Sequence, residues 1–229
     1  MSAEDEGGAW LRDLQASGNA GGTWPLKHEA ANSLRQILDA LPRSGADETT
    51  LRRLLPLLEE AARLVSSAGE GDRGPDATMA GMADFLYVSP IVGFANPIAP
   101  PFRFWIDDAA GVAHGRGRFR KVHEGGPGIV HGGILAAAVD ELLGMATTLS
   151  GRAGMTGRLT MHYHHPTPIL ETLDLTARLD RVEGRRLHMS CDVHHGSVRT
   201  ASADAVFVVV GGEKFADLDE RRRAKERGG

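Results

Sequence analysis

The second half of the chain alternates between apolar and polar positions, and this pattern predicts a β-sheet. Alternation with a period of two places one set of side chains on a buried face and the other in water. Leu187, Met189, Cys191 and Val193 form the clearest buried set. The six predicted strands span residues 102–108, 112–122, 155–165, 173–182, 186–195 and 199–210.

The segment between the second and third strands breaks this alternation. Residues 136–149 are rich in Ala, Leu and Met and are apolar nearly all round, which predicts a buried helix. We expect it to begin near His131–Gly133. The order β-β-α-β-β-β-β differs from the βαβ repeat of parallel sheets, so a Rossmann-type site is disfavoured. The prediction is an α+β fold in which a curved antiparallel sheet wraps one long apolar helix.

Residues 29–68 carry apolar positions at helical spacing. A first helix ends near Pro42, and Asp47 is a plausible N-cap of a second helix, in which Pro56 marks a kink or restart. We expect an antiparallel helical hairpin whose two apolar faces are buried. The predicted organisation is a polar arm over 1–28, this helical extension over 29–68, a linker and possible lid over 69–101, the sheet-and-helix domain over 102–211 and a charged tail over 212–229.

Composition narrows the classes of function. The 229 residues carry a net charge of -4, whereas a general nucleic-acid binder is normally basic. The single cysteine, Cys191, excludes an internal disulfide and a cysteine-based zinc finger, and its apolar neighbours predict a core position. No segment approaches the roughly 20 apolar residues of a spanning helix, and the acidic first residues lack the pattern of a signal peptide. We therefore expect a cytoplasmic protein without a membrane span or a nucleic-acid partner.

Residues 125–146, GGPGIVHGGILAAAVDELLGMA, carry the strongest chemical pattern. The first turn of a helix leaves backbone N–H groups unpaired, and the helix dipole adds partial positive charge there. Gly132 and Gly133 remove side-chain bulk, so a ligand oxygen can approach these N–H groups closely. The pattern is typical of a site that polarises a carbonyl or binds an oxyanion. The alternative is that the glycines only permit a tight turn.

Asp140 and Glu141 are the two charged residues within this apolar helix. A buried carboxylate is costly unless it is paired, so one of them is expected to line a cleft as nucleophile or general base. The alternative is that both are solvated at the helix edge. Asp140 lies nine positions after His131, about 13 Å along the axis. Two antiparallel helices from two subunits would bring Asp140 of one near Gly133 of the other, which predicts a homodimer with two equivalent sites.

The segments GIVHGGILAAAVDELLGMA and MTGRLTMHYHHPTPI together resemble the hotdog-fold acyl-CoA thioesterases. The similarity is to the PaaI-like and THEM4-like branch of the 4-hydroxybenzoyl-CoA thioesterase superfamily, over about residues 100–211. It implies a hotdog fold, hydrolysis of an acyl-CoA, no metal and no other cofactor. It also implies a homodimer or a dimer of dimers with active sites between protomers.

The resemblance implies a role for each matching residue. Asp140 would attack the thioester carbon or activate water, the N–H near Gly133 would polarise the carbonyl, His131 would shape the helix start, and Thr156 would position the water or the carboxylate. The predicted substrate-binding residues are Gly132, Glu141, His164 and His165. The last two stand where the family often has basic residues, so phosphate contacts through them would depend on pH.

Three alternatives stay open. The same fold serves hydratases and dehydratases of acyl thioesters, in which a His pairs with a carboxylate across the cleft, as His131 and Asp140 could. A non-catalytic acyl-CoA-binding regulatory protein is the second alternative. A metal site is the third, since His162 and His164 share one strand face.

Overall fold

A six-stranded antiparallel sheet packs against one long helix. The computed structural model describes residues 23–69, 88–210 and 221, so the predicted arm before residue 23, the linker over 70–87 and nearly all of the tail lie outside the described residues. The strands are β1 (Arg103–Asp107), β2 (Val112–Gly117), β3 (Gly154–Tyr163), β4 (Leu173–Glu183), β5 (Arg186–His195) and β6 (Val198–Val209), in the spatial order β1-β2-β4-β5-β6-β3. The helices are α1 (Trp24–Ala40), α2 (Glu48–Ser67) and α3 (Gly132–Ala146).

Helix α3 forms the centre of the hydrophobic core, as its composition predicts. It contacts β2, β3, β4, β5 and β6, and Leu135, Leu142 and Leu143 are fully buried between it and the sheet. By length and composition the apolar segment Gly132–Ser150 could cross a membrane, contrary to the expectation that no segment could. Its packing on the sheet accounts for the apolar composition within the domain.

The strands confirm the predicted alternation. Leu175 and Ala177 on β4 are buried and pair with the buried Val193 and Cys191 of β5. The second predicted strand ends earlier than expected: β2 stops at Gly117, and Lys121–His123 form a short 3-10 turn. That turn leads into the loop that precedes α3.

Strand β3 is an edge strand with a bulge that sets which side chains face α3. It pairs with β6 along one edge, and its register shifts between Thr156 and Arg158. Thr156 pairs with the buried Phe207 and faces the helix, whereas Arg158 pairs with Val206 on the outer face. A bulge places an extra residue in one strand and so changes which face the following residues occupy.

The N-terminal helices form as predicted, but α2 does not bury its apolar face. Helix α1 begins at Trp24, before the expected residue 29, and Asp47 caps α2 by accepting a hydrogen bond from the Thr50 N–H at 2.8 Å. No residue of α2 is buried, and no extensive contact joins α2 to α1 or to the sheet within the described residues. Within the described residues the apolar face of α2 is therefore exposed, contrary to the expectation that both faces are buried. Helical periodicity shows which face is apolar, but it does not specify what covers that face.

Helix α2 also runs as one element through Pro56, so the helix does not restart there. Its length and its exposed apolar face distinguish it from α1. Helix α1 instead contacts the rest of the chain through polar side chains: Arg35 donates to carbonyls of residues 93–96, and Asp39 pairs with Arg120.

Candidate active site

The start of helix α3 is built by a tight loop and an unusual cap. The His131 side chain caps the helix, and its Nδ1 accepts a hydrogen bond from the Gly133 N–H at 3.1 Å. The Tyr163 hydroxyl on β3 donates to the Gly132 carbonyl at 2.9 Å. Gly125 passes so close that a Cβ there would lie 2.8 Å from the His131 Cα. Strand β3 and this loop therefore hold the first turn from two sides.

The cap changes which backbone group is open to a ligand. The Gly133 N–H already has His131 as its acceptor, whereas the Gly132 N–H has no hydrogen-bond partner among the described residues. Both glycines lie at the positively charged end of the helix dipole. A ligand oxygen can bind the Gly132 N–H directly, and it must share or displace the His131 ring to reach the Gly133 N–H.

Asp140 is the partly exposed carboxylate of the helix. Its Oδ1 accepts a hydrogen bond of 2.8 Å from the Thr156 hydroxyl, across the gap between α3 and β3. The bulge in β3 makes this contact possible because it places Thr156 on the inner face. The carboxylate is thus oriented while its second oxygen stays available to a substrate or a water molecule.

Glu141 points about 100° away around the helix and has a different environment. Its Oε1 accepts a hydrogen bond of 2.9 Å from the hydroxyl of Ser89, a buried residue far away in sequence. Burial raises the pKa of Glu141, and the nearby charge of Asp140 raises it further, while the Ser89 hydrogen bond acts in the opposite direction. The two adjacent carboxylates are therefore distinguished by their surroundings.

Asp140 and Gly133 lie on one face of α3 but far apart along it. They are seven positions apart, which is close to two helical turns and about 10 Å along the axis. Between them the same face carries Ala137, and beyond Asp140 it carries Gly144. A single helix cannot apply both groups to one small functional group, so chemistry that uses both needs a second copy of the helix.

The two histidines proposed for substrate binding lie at the end of β3. The His164 side chain points to the outer face of the sheet, where its Nε2 contacts the Ser202 hydroxyl at 2.8 Å and its ring stacks on His162. The exposed His165 follows it. The structure groups Asp140 with Thr156, and it groups His131 with both glycines and Tyr163, but it turns the His164 ring away from these groups.

Two comparisons identify the domain. Residues 127–202 match the model of the thioesterase superfamily. The crystal structure of a thioesterase superfamily protein superposes with a TM-score of 0.70 at 29% identity, over 80% of this chain and 90% of that one. Residues 127–202 belong to the thioesterase superfamily. The α+β architecture described above is accordingly the hotdog fold.

Curated relatives match part of this chain. The acyl-coenzyme A thioesterase THEM4 of Bos taurus is 34% identical over 93 residues, which are 40% of this chain and 38% of that protein. The acyl-coenzyme A thioesterase THEM5 of Homo sapiens is 33% identical over 87 residues, 37% of this chain and 35% of that protein. The chain thus spans well under half the length of the curated relatives that it matches.

Two residues that contact helix α3, Tyr163 and Ser89, give little signal in the sequence. The sequence shows Tyr163 within the segment MTGRLTMHYHHPTPI but gives it no role. Its contact with Gly132 forms only because β3 lies close to α3. Ser89 gives no local signal at all, because its partner Glu141 lies 52 positions later. For the metal alternative, no group of three or more His, Cys, Asp or Glu side chains that could hold an ion occurs among the described residues.

Proposed function

We propose that this protein is an acyl-CoA thioesterase that hydrolyses an acyl-CoA to the free acid and CoA. The observation that carries the proposal is Asp140, a part-exposed carboxylate in an otherwise apolar helix, oriented by Thr156. The names of the curated relatives support the same reaction and substrate class.

In either of two routes, one proton passes from water to the CoA thiolate. In the general-base route Asp140 takes a proton from water while the water oxygen bonds to the thioester carbonyl carbon. The C–S bond then breaks, and the CoA thiolate takes up the proton that Asp140 held. In the nucleophilic route the Asp140 oxygen itself bonds to that carbon and CoA leaves. Water then cleaves the resulting anhydride, and its proton goes to the thiolate.

The helix start supplies the second component of the mechanism. Negative charge develops on the carbonyl oxygen as the carbon is attacked, and backbone N–H groups at a helix N-terminus stabilise such a charge. The open Gly132 N–H and the His131-capped Gly133 N–H are the groups that would act here. We infer that the active protein is a homodimer or a dimer of dimers, because these groups and Asp140 are too far apart along one helix to act on one carbonyl.

The test is hydrolysis of a panel of acyl-CoA substrates by the wild type and by Asp140→Asn. The substitution keeps the shape of the side chain and removes its ability to accept a proton or attack, so we expect kcat to fall by at least about 100-fold. Asp180→Asn is the matched control, since Asp180 is an exposed carboxylate on β4 that accepts a hydrogen bond from Ser190. Full activity in Asp140→Asn would transfer the role to Glu141.

The panel also separates the alternatives of the same fold. A wild type that binds acyl-CoA tightly without turnover would be a binding protein, and hydration of an enoyl-CoA would indicate a hydratase. In the hydratase the His131 ring would have to leave its cap on Gly133 to face a carboxylate. Nothing in the geometry favours either over hydrolysis.

A further inference from the structure

Tyr163 is the last residue of strand β3, and its ring lies against the first residue of helix α3. It pairs with the buried Ala201 of β6, so both side chains lie on the inner face of the sheet. A Cβ built on Gly132 would lie 3.3 Å from both the Tyr163 Cζ and its hydroxyl oxygen. A side chain at position 132 would therefore crowd the ring, and glycine leaves room for this approach.

The Tyr163 hydroxyl contacts one particular peptide group. It donates to the Gly132 carbonyl at 2.9 Å, and that carbonyl shares its peptide with the Gly133 N–H. The peptide is trans, so its C=O and N–H point in opposite directions. Within the helix the same oxygen also accepts the N–H four residues further on, so the hydroxyl uses its second lone pair. By holding the oxygen from the side of β3, Tyr163 fixes the direction in which the Gly133 N–H points.

The two peptide groups at the helix start are held in different ways. The peptide that carries the Gly132 N–H is fixed through the His131 carbonyl, which accepts the N–H groups of Ile134 and Leu135 at 2.9 and 3.0 Å. The next peptide lies between two glycines, each of which weakens a helix by about 0.5–1 kcal/mol relative to alanine. That second peptide, which carries the Gly133 N–H, has an additional support from outside the helix, the Tyr163 hydroxyl.

The hydroxyl also polarises the Gly133 N–H. The Tyr163 O–H, the peptide and the His131 Nδ1 form a chain of two hydrogen bonds, of 2.9 and 3.1 Å. Donation to a carbonyl draws electron density toward its oxygen and leaves the N–H of the same peptide more positive. Hydrogen bonds in such a chain strengthen one another by about 10–30%. An oxyanion that replaces the His131 ring as acceptor gains more from this, because bonds to charged acceptors are the stronger ones.

We propose that Tyr163 is a positioning residue of the reaction, whose hydroxyl aims and polarises the Gly133 N–H toward the thioester oxygen. The inference rests on the proposed thioesterase function and adds a group that prepares one of its two N–H donors. Tyr163 acts through the Gly132–Gly133 peptide and needs no contact with the substrate. Strand β3 then serves both components of the mechanism, since its Thr156 orients Asp140.

The first experiment compares Tyr163→Phe with the wild type on an acyl-CoA that the wild type hydrolyses. Losing a direct oxyanion donor costs about 100- to 1000-fold in kcat, so a change of 10–30% in its strength corresponds to about 2- to 8-fold. Because the variant also loses the external support of the peptide, we expect kcat to fall at least about threefold. KM should stay within about twofold, since the charge on the oxygen develops only in the transition state. Thr160→Val is the matched control, because it removes a hydroxyl from the outer face of the same strand.

The second experiment observes the peptide itself, in the absence of substrate. In protein labelled with ¹⁵N-glycine, the Gly133 amide resonance is assigned by its loss in Gly133→Ala. We expect its ¹⁵N shift to move upfield in Tyr163→Phe and to stay in place in Thr160→Val, because donation to the preceding carbonyl withdraws charge from this nitrogen.

Three results would overturn the inference while leaving the thioesterase function standing. They are an unchanged Gly133 resonance, a smaller fall in kcat than threefold, and a rise in KM with kcat unchanged, which would indicate ground-state binding. A wild type that hydrolyses no acyl-CoA would instead overturn the proposed function and with it the role of Tyr163 in catalysis. The Gly133 resonance would still report whether the hydroxyl polarises the peptide, so the two failures are distinguishable.

Discussion

The contact between Thr156 and Asp140 gives the sharpest test of how the site works. Thr156→Val is nearly isosteric and removes the hydroxyl that donates to Asp140 Oδ1 at 2.8 Å. A hydrogen bond to a charged acceptor is worth about 1.5–3 kcal/mol. Because the pair is partly exposed, water replaces some of that interaction, so we expect a loss of about 1–1.5 kcal/mol. Since each 1.4 kcal/mol corresponds to a factor of ten, kcat/KM should fall about 5- to 10-fold.

The assay follows release of the CoA thiol with a chromogenic disulfide. Thr160→Val is the matched control, because Thr160 lies on the same strand but pairs with Asp204 on the outer face. The free energy of unfolding of both variants should lie within about 0.5 kcal/mol of that of the wild type, as is usual for exposed substitutions. Equal losses of activity in the two variants, or full activity in Thr156→Val, would refute the view that Thr156 orients the reacting carboxylate.

Three further predictions concern stability and reactivity. Asp39→Asn leaves the part-buried Arg120 without its carboxylate partner at 2.7 Å, so it should lower the free energy of unfolding by about 1–3 kcal/mol. Urea unfolding measures this, and a change below about 0.5 kcal/mol would contradict it. The His123 Nδ1 accepts a hydrogen bond from the Arg120 N–H, and its Nε2 contacts the Ile98 carbonyl. Burial lowers the pKa of His123, so the folded state favours the neutral ring. The free energy of unfolding should therefore be highest above the ordinary pKa of about 6.5 and should fall as the pH drops below it. Urea unfolding at pH 7.5 and 5.5 checks the sign, and His123→Gln should show a smaller difference. Burial raises the pKa of Cys191 to about 12, so iodoacetamide should label it only after unfolding.

The stability predictions share a structural cause. Asp39 on α1 contacts both the Arg120 side chain and the Val122 N–H, and the His123 ring contacts the Ile98 carbonyl in the segment before β1. The His123 carbonyl in turn accepts the His131 N–H at the start of α3. The N-terminal extension, the segment before β1 and the first turn of helix α3 are therefore joined by a continuous set of hydrogen bonds.

The hydrophobic pattern of the sequence was sufficient to predict the strands and the central helix of the domain. Alternation along β4 and β5 follows from the need to bury one face of a strand, and the largely apolar surface of α3 follows from the need to bury most of a central helix. The glycines and the two carboxylates were equally visible, because a charge within an apolar helix demands an explanation wherever it occurs. These features depend on residues close together in the chain.

Contacts between distant segments were decided by the tertiary structure alone. Only the packed chain distinguishes Glu141, which is half-buried beside Ser89, from Asp140, which Thr156 orients across a bulge. The occupied Gly133 N–H and the exposed apolar face of α2 were likewise outside the reach of periodicity. Periodicity records which side of an element avoids water, but the partner of each side chain depends on loops and bulges whose geometry is set by the whole fold.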